Sequence, residues 1–150
     1  MNYQALEQQL QSLYNSYSDS DQLLQSICNL LREGVSHYDW VGFYFKNGDK
    51  RELLLGPFSG EPTDHTIIPF GKGICGQVAL SNENFIVPDV NAQDNYIACS
   101  ITVKSEIVIP IIKDGDNIGQ IDIDSHTIDA FSQADVHLLE GICKKLATIL

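Results

Sequence analysis

The chain is poor in basic residues. It has 9 lysines and arginines against 20 aspartates and glutamates, which gives a net charge of −11. Proteins that bind nucleic acid contact phosphates through clustered lysine and arginine, and docking on anionic lipid needs the same residues. We therefore exclude nucleic acid and anionic membranes as partners, and we interpret the acidic surface as an aid to solubility.

Long apolar runs are also lacking, because no run approaches the ~18 residues that span a bilayer. Residues 1–17 are amphipathic and rich in glutamine, without the basic start and apolar block of a signal peptide. These features predict a cytoplasmic protein whose thiols stay reduced. The length of 150 residues, with no repeat or linker, predicts one domain over residues 1–150.

The four cysteines form no C-x-x-C motif and no cluster with histidine, so we predict no disulfide framework, no metal ligands and no cofactor. Cys28 and Cys143 each lie within the apolar stripe of a helix, which favours the core. Cys75 follows a glycine turn at the start of a helix. It is either a buried residue or a thiolate stabilised by the helix N-terminus. Cys99 lies in a polar loop, which favours a chemical role.

Periodicity and turn signals divide the chain into helices and strands. Helices are predicted over residues 2–17, 20–33, 74–80 and 132–150, with Ser20 as the N-cap of the second and a capping box of Ser132 and Asp135 in the last. Extended segments are predicted over residues 40–46, 52–55, 65–69, 85–87, 106–112 and 117–124, with hairpin turns at Asn47-Gly48 and Asp114-Gly115. Hairpins imply antiparallel pairing. The order predicts an α+β fold, a central, mostly antiparallel sheet with the N- and C-terminal helices on one face.

Three carboxylates lie on the last two predicted strands. Asp122 and Asp124 alternate with two isoleucines, so both aspartates face one side of the sheet. Glu106 opens the neighbouring strand. Aspartate is disfavoured inside strands, which leaves two explanations: a solvated sheet face, or a pocket that binds a cation or holds a protonated acid.

Six short motifs resemble, in order and spacing, those of the free methionine-(R)-sulfoxide reductases, which are single GAF domains. The motifs are residues 39–44 (DWVGFY), 55–60 (LGPFSG), 68–76 (IPFGKGICG), 97–99 (IAC), 105–108 (SEIV) and 119–125 (GQIDIDS). The resemblance implies a GAF fold and the thiol-dependent reduction of free L-methionine (R)-S-oxide to methionine, with thioredoxin as the reductant.

The resemblance also implies roles for individual residues. Cys99 matches the catalytic cysteine and Cys75 a recycling cysteine, whereas His65 stands at the position of a second recycling cysteine. The residues that match substrate contacts are the carboxylates Glu106, Asp122 and Asp124 and the aromatic wall of Trp40 and Tyr44.

In the mechanism that these roles predict, Glu106 or Asp124 donates a proton to the sulfoxide oxygen. The backbone N–H groups of residues 73–76, at a helix N-terminus, are candidates for holding the substrate carboxylate.

Two other functional classes fit parts of the sequence. A non-catalytic GAF domain would bind a small regulatory molecule in the same pocket without chemistry. A dimerisation module would use the terminal helices, and a homodimer is also compatible with the enzyme. Turnover of methionine sulfoxide discriminates the enzyme from both alternatives.

Overall fold

A computed structural model describes residues 2–93 and 102–150. Two helices, α1 (Tyr3–Ser16) and α2 (Ser20–Gly34), precede a hairpin of β1 (Trp40–Lys46) and β2 (Glu52–Ser59). The elements that follow are β3 (Ile67–Pro69), α3 (Gly73–Ser81), β4 (Phe85–Val87), a short 3-10 helix (Val90–Ala92), β5 (Ser105–Lys113), β6 (Asp116–Ser125) and α4 (Gln133–Ile149). None of the helices in the described part of the chain has the length and apolarity that crossing a bilayer requires.

The six strands form one antiparallel sheet in the order β3-β2-β1-β6-β5-β4. Helices α1, α2 and α4 cover one face, where they share a core with the inward side chains of β1, β5 and β6. Helix α3 packs on the opposite face against β5 and β6. The predicted α+β fold, with the N- and C-terminal helices on one face, is confirmed.

Two predicted boundaries were wrong for identifiable reasons. The N-cap of α2 is Asp19 rather than Ser20, because the Asp19 side chain accepts a hydrogen bond of 2.8 Å from the Gln22 amide. Strand β2 continues past the predicted end at residue 55, although Pro57 has no N–H to donate. Its register against β1 shifts between Gly42 and Tyr44, and a bulge of this kind tolerates a proline inside a sheet.

The start of α4 is fixed by a capping box in which Ser132 and Asp135 bond to each other's backbone, as predicted. Asp135 is buried and also accepts hydrogen bonds from the Tyr3 and Tyr38 hydroxyls. Burial acts to raise the pKa of Asp135, but the two tyrosine hydrogen bonds leave it below its ordinary value. Asp135 thereby joins the start of α1 to the start of α4.

Cys28 and Cys143 lie in the core between the helices and the sheet, at 0% and 3% exposure. Burial raises the pKa of both thiols. The core assignment for these two cysteines is confirmed, because a buried neutral thiol behaves as a small apolar side chain.

Candidate functional site

The predicted carboxylates meet on the α3 face of the sheet. In one cross-strand row Trp40 pairs with Asp124, which pairs with Glu106. In the next row Gly42 and Val108 flank Asp122. Because residues two apart on a strand face the same side, Glu106, Asp122 and Asp124 share this face.

All three carboxylates are buried. Glu106 is 5% exposed, Asp122 is 2% and Asp124 is 1%. A solvated sheet face, one of the two explanations offered by the sequence, is therefore wrong, and these residues line pockets. Burial raises the pKa of Asp122, and hydrogen bonds from Glu106 and Cys75 offset part of that effect. The site thus disfavours a full negative charge on Asp122.

Two cavities open on this face. The larger, of about 110 Å³, is lined by Trp40, Asp124, Val103 and a rim of Arg32, Asp39, Glu61, Pro62 and His126. The smaller, of about 20 Å³, lies beside Tyr44, His65, Cys75, Glu106 and Asp122. Both cavities combine apolar surface with a few polar groups, as small-molecule sites do.

Trp40 and Tyr44 form the aromatic side of the site, with ring centroids 6.4 Å apart. The Trp40 indole stacks on Phe58 and donates a hydrogen bond of 3.0 Å to the Glu61 carbonyl. The Tyr44 hydroxyl donates one of 2.9 Å to the His65 carbonyl. Both rings are therefore fixed before any ligand arrives.

Gly42 explains how Trp40 can lie flat over β1. A Cβ at Gly42 would come within 2.3 Å of indole Cη2 and 2.6 Å of Cζ3, well inside contact distance. The glycine of the DWVGFY motif is therefore a requirement of the site, since it makes room for the ring that forms the pocket wall.

The glycine turn at the start of α3 positions Cys75 beside the carboxylates. Gly71 and Gly73 have φ values of 89° and 62°, which residues other than glycine rarely adopt. The Gly76 amide donates to Lys72 O at 2.9 Å, so Gly76 is not a free donor for a ligand as the sequence suggested. The side-chain amide of Gln120 donates a hydrogen bond of 2.9 Å to the Cys75 carbonyl, which holds α3 against the sheet.

Comparison with known proteins places the chain in a family. The GAF domain family matches residues 18–150. The chain is 39% identical to the free methionine-R-sulfoxide reductase of Saccharomyces cerevisiae, over 92% of this chain and 83% of the yeast protein. It belongs to the free methionine-R-sulfoxide reductase family.

Solved structures of this reductase family have the same fold. The X-ray structure of the Neisseria meningitidis enzyme in complex with its substrate matches with a TM-score of 0.91 and 36% identity, over 97% of this chain and 86% of that chain. The Staphylococcus aureus enzyme, also in complex with substrate, matches with a TM-score of 0.88 and 38% identity, over 98% and 94% of the two chains. The GAF fold and family membership predicted from the six motifs are confirmed.

Of the two alternatives that the sequence left for Cys75, the buried residue is correct and the stabilised thiolate is wrong. Cys75 is 4% exposed, and its burial, followed by the charges of Asp122 and Glu106, raises the pKa of the thiol. The helix N-terminus was expected to lower this pKa. Desolvation and two adjacent carboxylates outweigh that dipole, so Cys75 rests as a neutral thiol.

The predicted site residues of this reductase that lie within the described part of the chain all meet on the same face of the sheet. These are Trp40, Tyr44, Cys75, Glu106, Asp122 and Asp124. Cys99 lies outside the described residues, so its predicted role stays a prediction. Sequence reasoning missed Arg32 and His126, which line the larger cavity. Arg32 comes from the end of α2, and its place in a helix sequence gives no sign that it faces a pocket.

Proposed function

We propose that this protein reduces free L-methionine (R)-sulfoxide to L-methionine by cysteine thiol chemistry. The observation that carries the proposal is the burial of Glu106, Asp122 and Asp124 beside a thiol and a fixed aromatic wall. A buried acid cluster suits the protonation of a departing sulfoxide oxygen and the binding of an ammonium group. Membership of the reductase family supports the same activity.

In the first step the Cys99 thiolate attacks the sulfoxide sulfur, and a carboxyl group of Glu106 or Asp124 gives its proton to the oxygen. The oxygen then moves to Cys99 as the S–O bond of the substrate breaks. Methionine leaves and Cys99 becomes a sulfenic acid. The substrate sulfur gains two electrons and the cysteine sulfur loses two.

In the second step the Cys75 thiol attacks the Cys99 sulfenic sulfur, which forms a disulfide and releases water. An external dithiol, thioredoxin in our proposal, reopens the disulfide and is itself oxidised. This cycle suits a cytoplasmic protein, because the cytosol keeps such dithiols reduced. Pairing of two copies through the terminal helices stays a prediction from the sequence.

The activity is tested by NADPH consumption with thioredoxin, thioredoxin reductase and free methionine-(R)-sulfoxide. We expect turnover with the free R epimer. Tight sulfoxide binding without NADPH consumption or cysteine oxidation would instead support a non-catalytic GAF binding domain.

We expect Gly42→Ala to lower kcat/KM by roughly 10- to 100-fold, because displacement of Trp40 by about 1 Å misplaces the substrate. The new methyl group should also reduce the free energy of unfolding by about 1–3 kcal/mol, as overpacking does. Coupled-assay kinetics and urea denaturation measure the two effects.

The matched control is Gly141→Ala, since a Cβ at that position in α4 meets nothing within 4 Å. It should keep kcat/KM and leave stability unchanged or slightly higher. Wild-type kcat/KM in Gly42→Ala would contradict the role given to the indole wall.

The larger cavity suggests how a free amino acid is distinguished from a methionine in a peptide. Asp124 lies in one wall and Arg32 in the rim. The Arg32 Nε donates a hydrogen bond of 3.1 Å to the Asp39 carbonyl. The other N–H groups of the guanidinium can serve as donors to a ligand. We propose that Asp124 binds the substrate ammonium as a carboxylate, which leaves Glu106 as the proton donor, and that Arg32 binds the substrate carboxylate.

Arg32→Gln should therefore raise KM for the sulfoxide about tenfold, which is about 1.4 kcal/mol, with little change in kcat. Arg51→Gln is the control, because Arg51 packs over the Phe70 ring, outside both cavities. If KM is the same in the two variants, the substrate carboxylate is held by another group.

A further inference from the structure

Three side chains of metal-ligand type meet at the smaller cavity. Cys75 comes from α3, Glu106 from β5 and Asp122 from β6. The Cys75 Sγ and one carboxylate oxygen from each acid all lie within 4.8 Å of one another, and all three residues are buried. We infer that these residues form a binding site for a single thiophilic divalent cation of the Zn²⁺ type in the reduced protein.

The size of the cavity limits its occupant. Its volume of about 20 Å³ corresponds to one water molecule or ion. A free amino acid is far too large for this compartment, whereas the neighbouring cavity of about 110 Å³ offers more room. The smaller cavity therefore fits a monoatomic ligand.

Asp122 provides an independent sign that a ligand belongs there. Its Oδ1 is buried and has no hydrogen-bond partner among the described residues. Within the same part of the chain, no lysine or arginine lies within ion-pair distance of Asp122. A buried carboxylate oxygen without a donor is costly, and a bound cation would remove that cost.

The donor set selects the class of cation. Mg²⁺ and Ca²⁺ prefer sites made only of oxygen, whereas Zn²⁺ binds cysteine sulfur and carboxylate oxygen together. Zinc bonds of about 2.0–2.3 Å place tetrahedral donor atoms roughly 3.5 Å apart. The three donor atoms now lie within 4.8 Å of one another, so binding requires them to move closer together, and His65 lines the same cavity.

Metal binding has a consequence for Cys75. The cation would replace the proton of the Cys75 thiol and any proton shared by Glu106 and Asp122, and these protons would be released to solvent. The thiolate would then be held as a ligand and could not form a disulfide. Conversely, a disulfide at Cys75 would destroy the site, so binding is confined to the reduced protein.

The test is titration of the fully reduced, metal-free protein with Co²⁺, a spectroscopic substitute for Zn²⁺. We expect one equivalent to bind, with a thiolate-to-cobalt charge-transfer band in the near ultraviolet that Zn²⁺ abolishes. Cys75→Ser should lose the band. Glu106→Gln and Asp122→Asn should weaken binding by more than roughly 100-fold, since even outer-shell changes cost about 10- to 100-fold.

Cys143→Ser is the matched control, because Cys143 is equally buried but lies in the helix-covered core, where its thiol donates to the Ile109 carbonyl at 3.7 Å. It should keep the band and the affinity. Far-UV circular dichroism verifies the fold of each variant, and the two carboxylate variants carry the test if Cys75→Ser does not fold.

Absence of the band in the wild-type protein would overturn the inference. So would a band that persists in Cys75→Ser and is lost in Cys99→Ser, because the thiolate would then come from elsewhere. The two tests are independent, because the cobalt titration contains no sulfoxide and turnover is measured in the presence of a metal chelator. Turnover without metal binding refutes only this inference, and metal binding without turnover refutes only the proposed activity.

Discussion

Cys99→Ser is expected to abolish turnover of methionine sulfoxide while leaving the fold intact. Sulfoxide reduction requires a thiolate that attacks sulfur and accepts the oxygen, and a serine hydroxyl is a far weaker nucleophile at neutral pH. The other three cysteines are buried, with raised pKa values, so none offers a ready replacement. The NADPH-coupled assay measures the loss.

Cys143→Ser serves as the comparison for this variant, since it changes a thiol in the helix-covered core, on the other side of the sheet from the carboxylates. It should retain wild-type turnover. Activity above a small fraction of wild type in Cys99→Ser would remove Cys99 from the role of nucleophile.

Cys75→Ser should stop the reaction after one equivalent of methionine per chain in the thioredoxin system. The first step does not consume Cys75, so the sulfenic acid still forms on Cys99. Without the buried thiol it has no partner for a disulfide. With sulfoxide in excess over the protein, methionine should therefore appear in a burst of one equivalent followed by a stall.

The disulfide itself can be sought by peptide mapping after one equivalent of sulfoxide. A disulfide requires Cα atoms within about 7 Å of each other. A Cys75–Cys99 bond supports the cycle. A Cys99 sulfenic acid beside a free Cys75 would refute it and point to direct reduction by a small thiol, in which case Cys75→Ser would change little.

His65 makes this experiment informative. The resemblance places a second recycling cysteine at this position, and the structure places His65 beside Cys75 and Asp122 in the smaller cavity. The positive charge of His65, when present, lowers the pKa of Asp122. An imidazole cannot form a disulfide, so recycling in our proposal depends on Cys75, which lies beside Glu106 and Asp122.

The sequence by itself determined the local structure. The apolar periodicity of α1, α2 and α4, the hairpin turns and the capping box at Ser132 each encode a hydrogen-bonding pattern within a few residues. The alternation of Asp122 and Asp124 with isoleucines likewise fixed a common face, because the side chains of a strand alternate. The order of six motifs was sufficient to identify the family.

Only the tertiary structure decided which groups meet on that face of the sheet and how burial shifts their pKa values. The packing of α3 on the sheet brings Cys75 against Glu106 and Asp122, which belong to distant parts of the chain. Burial there decides between the two alternatives for Cys75 in favour of a neutral thiol, since desolvation and neighbouring charge outweigh a helix dipole. It also decides that three carboxylates, whose exposure the sequence left open, form one buried acid cluster. A pKa depends on the surrounding dielectric and charges, and these exist only once distant segments have packed together.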